Sequence, residues 1–140
     1  MIDEKMIQTA VVRKLNNIGI NVTADEVKEG FNKPTAFVTV IPQTAEMLNR
    51  YREHLTVSVT IKYIPAIETV EECANTAIKI RKAFFYESLI VSDRKLTIEN
   101  MEFDTEDKVL YTYFDLDFIQ ETINAEDADD KFEELEMEGF

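Results

Sequence analysis

The chain has 140 residues, 45% of them apolar, a single cysteine, three glycines and a formal net charge of −13. That length suits one domain with a real core, and the lone Cys73 excludes an intrachain disulfide. The acidic balance argues against wrapping a nucleic acid, which takes clustered lysine and arginine, and no apolar run approaches the roughly 20 residues of a membrane-spanning helix.

The charge is unevenly placed. Residues 121–140 carry nine acids and one lysine, net −8, while the other 120 residues carry 19 acids and 14 bases, net −5. The opening Met-Ile-Asp-Glu-Lys lacks the basic leader and apolar block of a signal peptide, so a soluble chain is expected.

Residues 2–17 read as a helix. Ile7, Val11, Leu15 and Ile18 recur at spacings of four, four and three, with Ala10 on the same side. Asp3 and Glu4 suit the positive end of its dipole, Arg13 and Lys14 the negative end, and Gly19 is a natural stop. Residues 20–34 form a connector. Thr23 to Glu26 has capping-box form, which suits a short helical turn at 24–29.

The stretch from Gly30 to Pro65 organises the rest. Leu55, Val57, Val59, Ile61 and Tyr63 are apolar at every second place, with Thr56, Ser58, Thr60 and Lys62 between them. Such alternation predicts a strand with one buried face. Its partner is 36–41, rich in β-formers, and Pro42 marks an edge, a bulge or a break there. The two runs are expected to pair antiparallel, with a turn near Asn49-Arg50 and the 43–53 segment projecting beyond the sheet. A helix over 44–53 competes, because Thr44-Ala-Glu-Met-Leu also reads as a helix start. Met47, Leu48 and Tyr51, set among Arg50, Arg52 and other charges, have the composition of an interface with apolar anchors in a charged rim.

After Pro65 the period changes from two to 3.6. Val70, Cys73, Ala77, Ile80 and Phe84 predict an amphipathic helix over 68–86, with Phe84 in the layer facing Ile61. Leu96, Ile98, Met101 and Phe103 then predict a strand bulged near Glu99-Asn100, and Asp104 to Asp107 a polar turn. In the last strand Leu110, Thr112, Phe114, Leu116 and Phe118 share the core parity, and Asp115 and Asp117 the opposite one. The order α-β-β-α-β-β implies an α+β fold: an antiparallel or mixed four-stranded sheet with two helices packed on one face. Residues 1–120 are read as a single domain and 121–140 as an acidic C-terminal tail. That tail is either a solubilising end or, through Phe132, Leu135, Met137 and Phe140, a segment that orders on a partner.

Chemistry finds little purchase. His54 and Cys73 sit on different elements, so neither a metal site nor a nucleophile with its base is expected. Gly19, Gly30 and Gly139 are too few for a phosphate-cradling loop. Asp127, Asp129 and Asp130 lack the glycine and the last ligand of a calcium loop. No catalytic, cofactor or metal residue is assigned, and no enzyme activity is expected.

The motif Gly30-Phe31-Asn32-Lys33-Pro34, a strand through Phe37 and Val38, and the run from Leu55 to Tyr63 and Pro65 together resemble the tail terminator family of phages and prophages of Gram-positive bacteria. In that family a Phe-x-x-Pro, here Phe31 and Pro34, precedes the first strand, and an aromatic residue and a proline close the second. The resemblance implies a ring, usually a hexamer, on the last ring of the tail tube. Such a ring stops tube growth and offers a docking surface to the head connector. Similar caps occur on contractile tails and phage-tail-like bacteriocins, where they also hold the top of the sheath. The implied partners are other copies of the chain, the tube protein, and the sheath or head–tail connector. DNA would pass through without specific binding, and the implied place is the head-proximal end of a virion or phage-like particle, assembled in the host cytoplasm.

A channel that passes DNA favours an acidic lining, and Asp104, Glu106 and Asp107 are the acids expected to supply it. The competing reading is an acidic monomeric adaptor or inhibitor that binds a basic protein partner.

Overall fold

A computed structural model of the chain describes residues 2–23 and 33–122. Its elements are α1 (Glu4–Asn17), β1 (Thr35–Asn49), β2 (Arg52–Ile64), α2 (Val70–Tyr86), β3 (Leu89–Val91), β4 (Arg94–Leu96), β5 (Glu102–Glu106) and β6 (Val109–Glu121). Four strands form one antiparallel sheet in the order β1-β2-β6-β5, and β3 and β4 make a separate small hairpin.

The alternation in 55–63 determines the register. Val57, Val59, Ile61 and Tyr63 face Leu116, Phe114, Thr112 and Leu110 across the β2–β6 ladder, so both strands turn one apolar row to the same side. Ala36 and Val38 extend that row on β1. The two helices cover it with Ile7, Val11 and Leu15 of α1 and Cys73, Ile80 and Phe84 of α2. Fully burying each such aliphatic or aromatic side chain is worth about 1.5–3 kcal/mol. Ile61 and Phe84 lie in facing layers as expected, both at most 1% exposed.

The helix ends follow their capping residues. Asp3 accepts from the Met6 N–H at 2.8 Å, and α1 begins one residue later. Thr69 accepts from the Glu72 N–H at 3.1 Å, so α2 starts at Val70 rather than 68. Gly19 follows α1 with φ 86°, a conformation that glycine adopts without strain.

Four expectations are corrected. The 44–53 segment is not helical, nor does it leave the sheet: the β1–β2 ladder continues to Asn49 opposite Arg52, and β6 accompanies β2 to Glu121. Pro42, expected at an edge, a bulge or a break, does sit at a bulge, where the register shifts before Thr44. The strand predicted over 96–103 is two strands belonging to two sheets, β4 and β5, because Thr97 to Met101 lies outside any ladder. The last hairpin turns at Asp107-Lys108, both at positive φ, so Asp104 and Glu106 belong to β5. Val70, read as core, is 64% exposed, and Thr76 takes a buried place on that face. The helical turn suggested at 24–29, Phe31, and the tail beyond Thr122 fall outside the described residues.

Candidate interaction surface

The sheet has two ends of different character. β6 runs 13 residues between them, about 40 Å at 3.3 Å per residue.

At one end lies the β1–β2 tip. The Asn49 side chain accepts from the Tyr51 N–H at 2.9 Å, an Asx turn that closes the two-residue loop. Thr122 ties the tip to β6: its N–H donates to the Tyr51 carbonyl at 2.8 Å and its hydroxyl to the Arg50 carbonyl at 2.9 Å. Every residue from Ile41 to Arg50 is exposed, so this part of the edge strand has solvent on both faces. Met47 is 66% exposed and Leu48 46%. Met47 stands opposite Glu53, and Leu48 occupies the bulge beside it. Arg50 and Arg52 are exposed on the same tip. Tyr51 behaves differently from its sequence neighbours. It is half-buried, and its hydroxyl is enclosed without a hydrogen-bond partner among the described residues.

At the other end lies the β5–β6 turn. Asp104, Glu106, Asp107 and Lys108 are all exposed there. Asp107 and Lys108 adopt φ of 51° and 62°, the mirror-image turn that fits the twist of a two-residue hairpin. The entry to β1 and the exit from β2 share this end. Tyr63 is buried opposite Ala36 and Leu110, and Pro65 is buried just beyond β2. Pro34 leads directly into Thr35, whose hydroxyl meets that of Thr23 at 2.6 Å. Lys33 pairs with Glu68, and this hydrogen bond, then the lysine's charge, holds the Glu68 carboxyl below its ordinary range. Tyr63 and Pro65 are thus buried at the base of the hairpin, and the exposed Pro34 leads into it.

The sheet face away from the helices is polar. Ser58 donates to Asp115 at 2.6 Å, and Thr56 to Asp117 at 3.5 Å. His54 contacts Asp117 through Nε2 and lies 3.8 Å from Glu46 through Nδ1. Tyr111 and Tyr113 stack at 6.3 Å, and the Lys62 ammonium lies 6.0 Å from the Tyr111 ring. Apart from the Tyr111–Tyr113 stack, which lies within β6, these are cross-strand pairs that tie β1, β2 and β6 together.

Cys73 is at the opposite end of the sheet from His54. Its thiol donates to the Lys108 carbonyl at 3.4 Å, and burial, then the Glu72 charge, pushes its pKa up, which disfavours the nucleophilic thiolate. No three His, Cys, Asp or Glu side chains among the described residues are grouped to hold a metal ion. No helix among them is long and apolar enough to cross a membrane.

A second exposed apolar surface was not anticipated. Val70, Ile78 and Phe85 lie on the solvent side of α2 at 64%, 43% and 37% exposure, with Tyr86 at 76% and Ile90 at 55% beyond them. Its signal was present in the sequence: Val70, Ala74, Ile78 and Phe85 recur at helical spacing beside the core stripe.

No curated protein matches the sequence. One solved structure, of a protein without a descriptive name, aligns at 14% identity over 89% of this chain and 99% of its own, with a TM-score of 0.43; a likeness at that level supports no inference. The family model described as "Phage tail terminator protein" matches residues 6–129. That span takes in α1 from Met6 onward, α2 and every strand among the described residues, including the hairpin base and the exposed tip. The chain belongs to the phage tail terminator family.

Proposed function

We propose that the chain is the subunit of a ring that caps the head-proximal end of a phage or phage-like tail tube. The ring stops tube growth and provides the docking surface for the neck or the end of the sheath. Family membership carries this reading, and it supports a structural tail component over an enzyme. The two-ended sheet supports a division of labour within it. The tip bearing Met47, Leu48, Arg50 and Arg52 meets a neighbouring subunit or the tube. The acidic end of the β5–β6 hairpin, with Asp104 and Glu106 on β5 and Asp107 in the turn, faces the channel, where negative charge repels DNA phosphates and prevents sticking.

About 40 Å of sheet separates the two sets, so one can lie at the contact and the other at the lumen. An exposed methionine and leucine inside a charged rim suit a contact made after folding: they are removed from water only when the partner arrives. The test is the double variant Met47→Ser, Leu48→Ser, which leaves Tyr51 in place. Its monomer should melt like the parent, because both side chains are exposed, while tails assembled with it should be over-long. Tails of normal length from this variant would overturn the assignment of the tip.

A further inference from the structure

Between the C-terminal halves of α1 and α2, closed at one side by β3, runs a groove of about 580 Å³. Its apolar surface comes from Ala83, Tyr86 and Ile90, and its rim from Arg13, Lys79 and Lys82. Those three cations form no ion pair among the described residues, whereas Lys14 beside them already donates to the Ser88 carbonyl at 3.3 Å and lies 3.9 Å from Glu87. On a chain of net charge −13, a cluster of uncommitted cations around an apolar floor selects an acidic peptide with apolar side chains.

The chain carries such a peptide. Lys131 to Phe140 reads Lys-Phe-Glu-Glu-Leu-Glu-Met-Glu-Gly-Phe, four acids interleaved with Phe132, Leu135, Met137 and Phe140. It is also within reach. The Ile2 N–H donates to the Gln120 side chain at 2.9 Å, so α1 begins beside the end of β6. The groove starts at Ala10 and ends at Ile18, which places it about 12–24 Å along α1 from that point. Residues 123–130 span up to about 27 Å when extended. Arg94 of the β3–β4 hairpin donates to the Ile119 carbonyl at 2.7 Å, which brings the groove's third wall to the same end of β6.

We infer that residues 131–140 dock in this groove of their own chain, with the glutamates on the Arg13, Lys79 and Lys82 rim and the apolar side chains against Ala83, Tyr86 and Ile90. The occupant is set by charge and reach and is independent of tube capping, so the two readings fail separately. Docking gives the exposed aromatic and aliphatic side chains at the end of α2 a cover, and it places an acidic segment of the chain against the Arg13, Lys79 and Lys82 side chains.

Amide hydrogen exchange on the full-length protein tests this. The amides of 132–138 should exchange about tenfold or more below the unstructured rate. That protection should fall to within about twofold of the unstructured rate in Lys79→Glu, Lys82→Glu, and should weaken as salt is raised from about 0.05 M to 0.5 M. It should return when the same chain also carries Glu133→Lys, Glu134→Lys and Glu136→Lys. Unchanged protection of 57–63 in each variant shows that the sheet has kept its fold. Unprotected tail amides in the parent chain, or protection that ignores charge reversal, would overturn the inference. Protection that appears only as protein concentration rises would also overturn it, because the groove would then hold the tail of a second copy.

Discussion

Replacing Phe84 with alanine should remove a large part of the stability of this domain. Phe84 is 1% exposed, its ring centroid lies 5.4 Å from that of Phe114 at an interplanar angle of 42°, and the Lys14 ammonium stands 5.7 Å from its centroid. Truncating a fully buried phenylalanine costs about 3–5 kcal/mol through lost transfer energy and the cavity left behind. The tilted ring pair adds about 0.5–1.5 kcal/mol beyond area burial, which places Phe84 in the upper half of that range, near 4 kcal/mol. A domain has only about 5–15 kcal/mol to lose. At roughly 3–5 °C per kcal/mol for this size, the midpoint of melting should drop by about 12–20 °C. Urea unfolding followed by far-ultraviolet circular dichroism gives the free energy directly, provided the slope with denaturant is unchanged. Phe85→Ala is the internal control. Its side chain is one residue away but 37% exposed, and it should cost under about 1 kcal/mol. A loss under about 0.5 kcal/mol for Phe84, or equal losses for the two variants, would show that the packed face of α2 has been misassigned.

Thr112→Val should stabilise the fold by about 1–2 kcal/mol, because the Thr112 hydroxyl is buried in the core row without a partner among the described residues and valine keeps its shape; a destabilised variant in the same urea assay would mean that the hydroxyl is satisfied. Lys108→Gly should add about 1 kcal/mol, since φ of 62° strains any side chain and suits glycine, and a lower melting temperature would count against the turn geometry. The pure protein should show no saturable DNA binding at physiological salt, in keeping with its net charge of −13. Binding that weakens as salt rises, and that is lost on replacing Arg50, Arg52 or Arg94, would contradict the acidic-channel reading.

The central hairpin was legible because its buried face alternates without a break from Leu55 to Tyr63, and a strand buried on one face leaves that mark. The two helices were legible for the same reason at the other period. The outer half of β1 was not, since Ala45, Glu46, Met47 and Leu48 all favour a helix when isolated. There the ladder with β2 overrides local preference. β3 and β4 have three residues each, too short for any period to register. Val70 was misplaced because α2 carries two apolar stripes, and spacing alone does not say which one meets the sheet. Tyr51, expected as an anchor beside Met47 and Leu48, is half-buried instead of exposed like them, and Thr122, 71 residues later, ties its backbone to the end of β6. The groove was invisible for a similar reason: its walls come from residues 10–18 and 79–90, and nothing local links them.

The tail-capping account is tested most directly by tube length. Particles assembled without this chain should be examined by electron microscopy beside those assembled with it, and the tubes measured. The account predicts tubes that overrun their normal length and lack attached heads or sheath ends, with normal length restored when the purified chain is supplied during assembly. Tubes of normal, uniform length in its absence would contradict it.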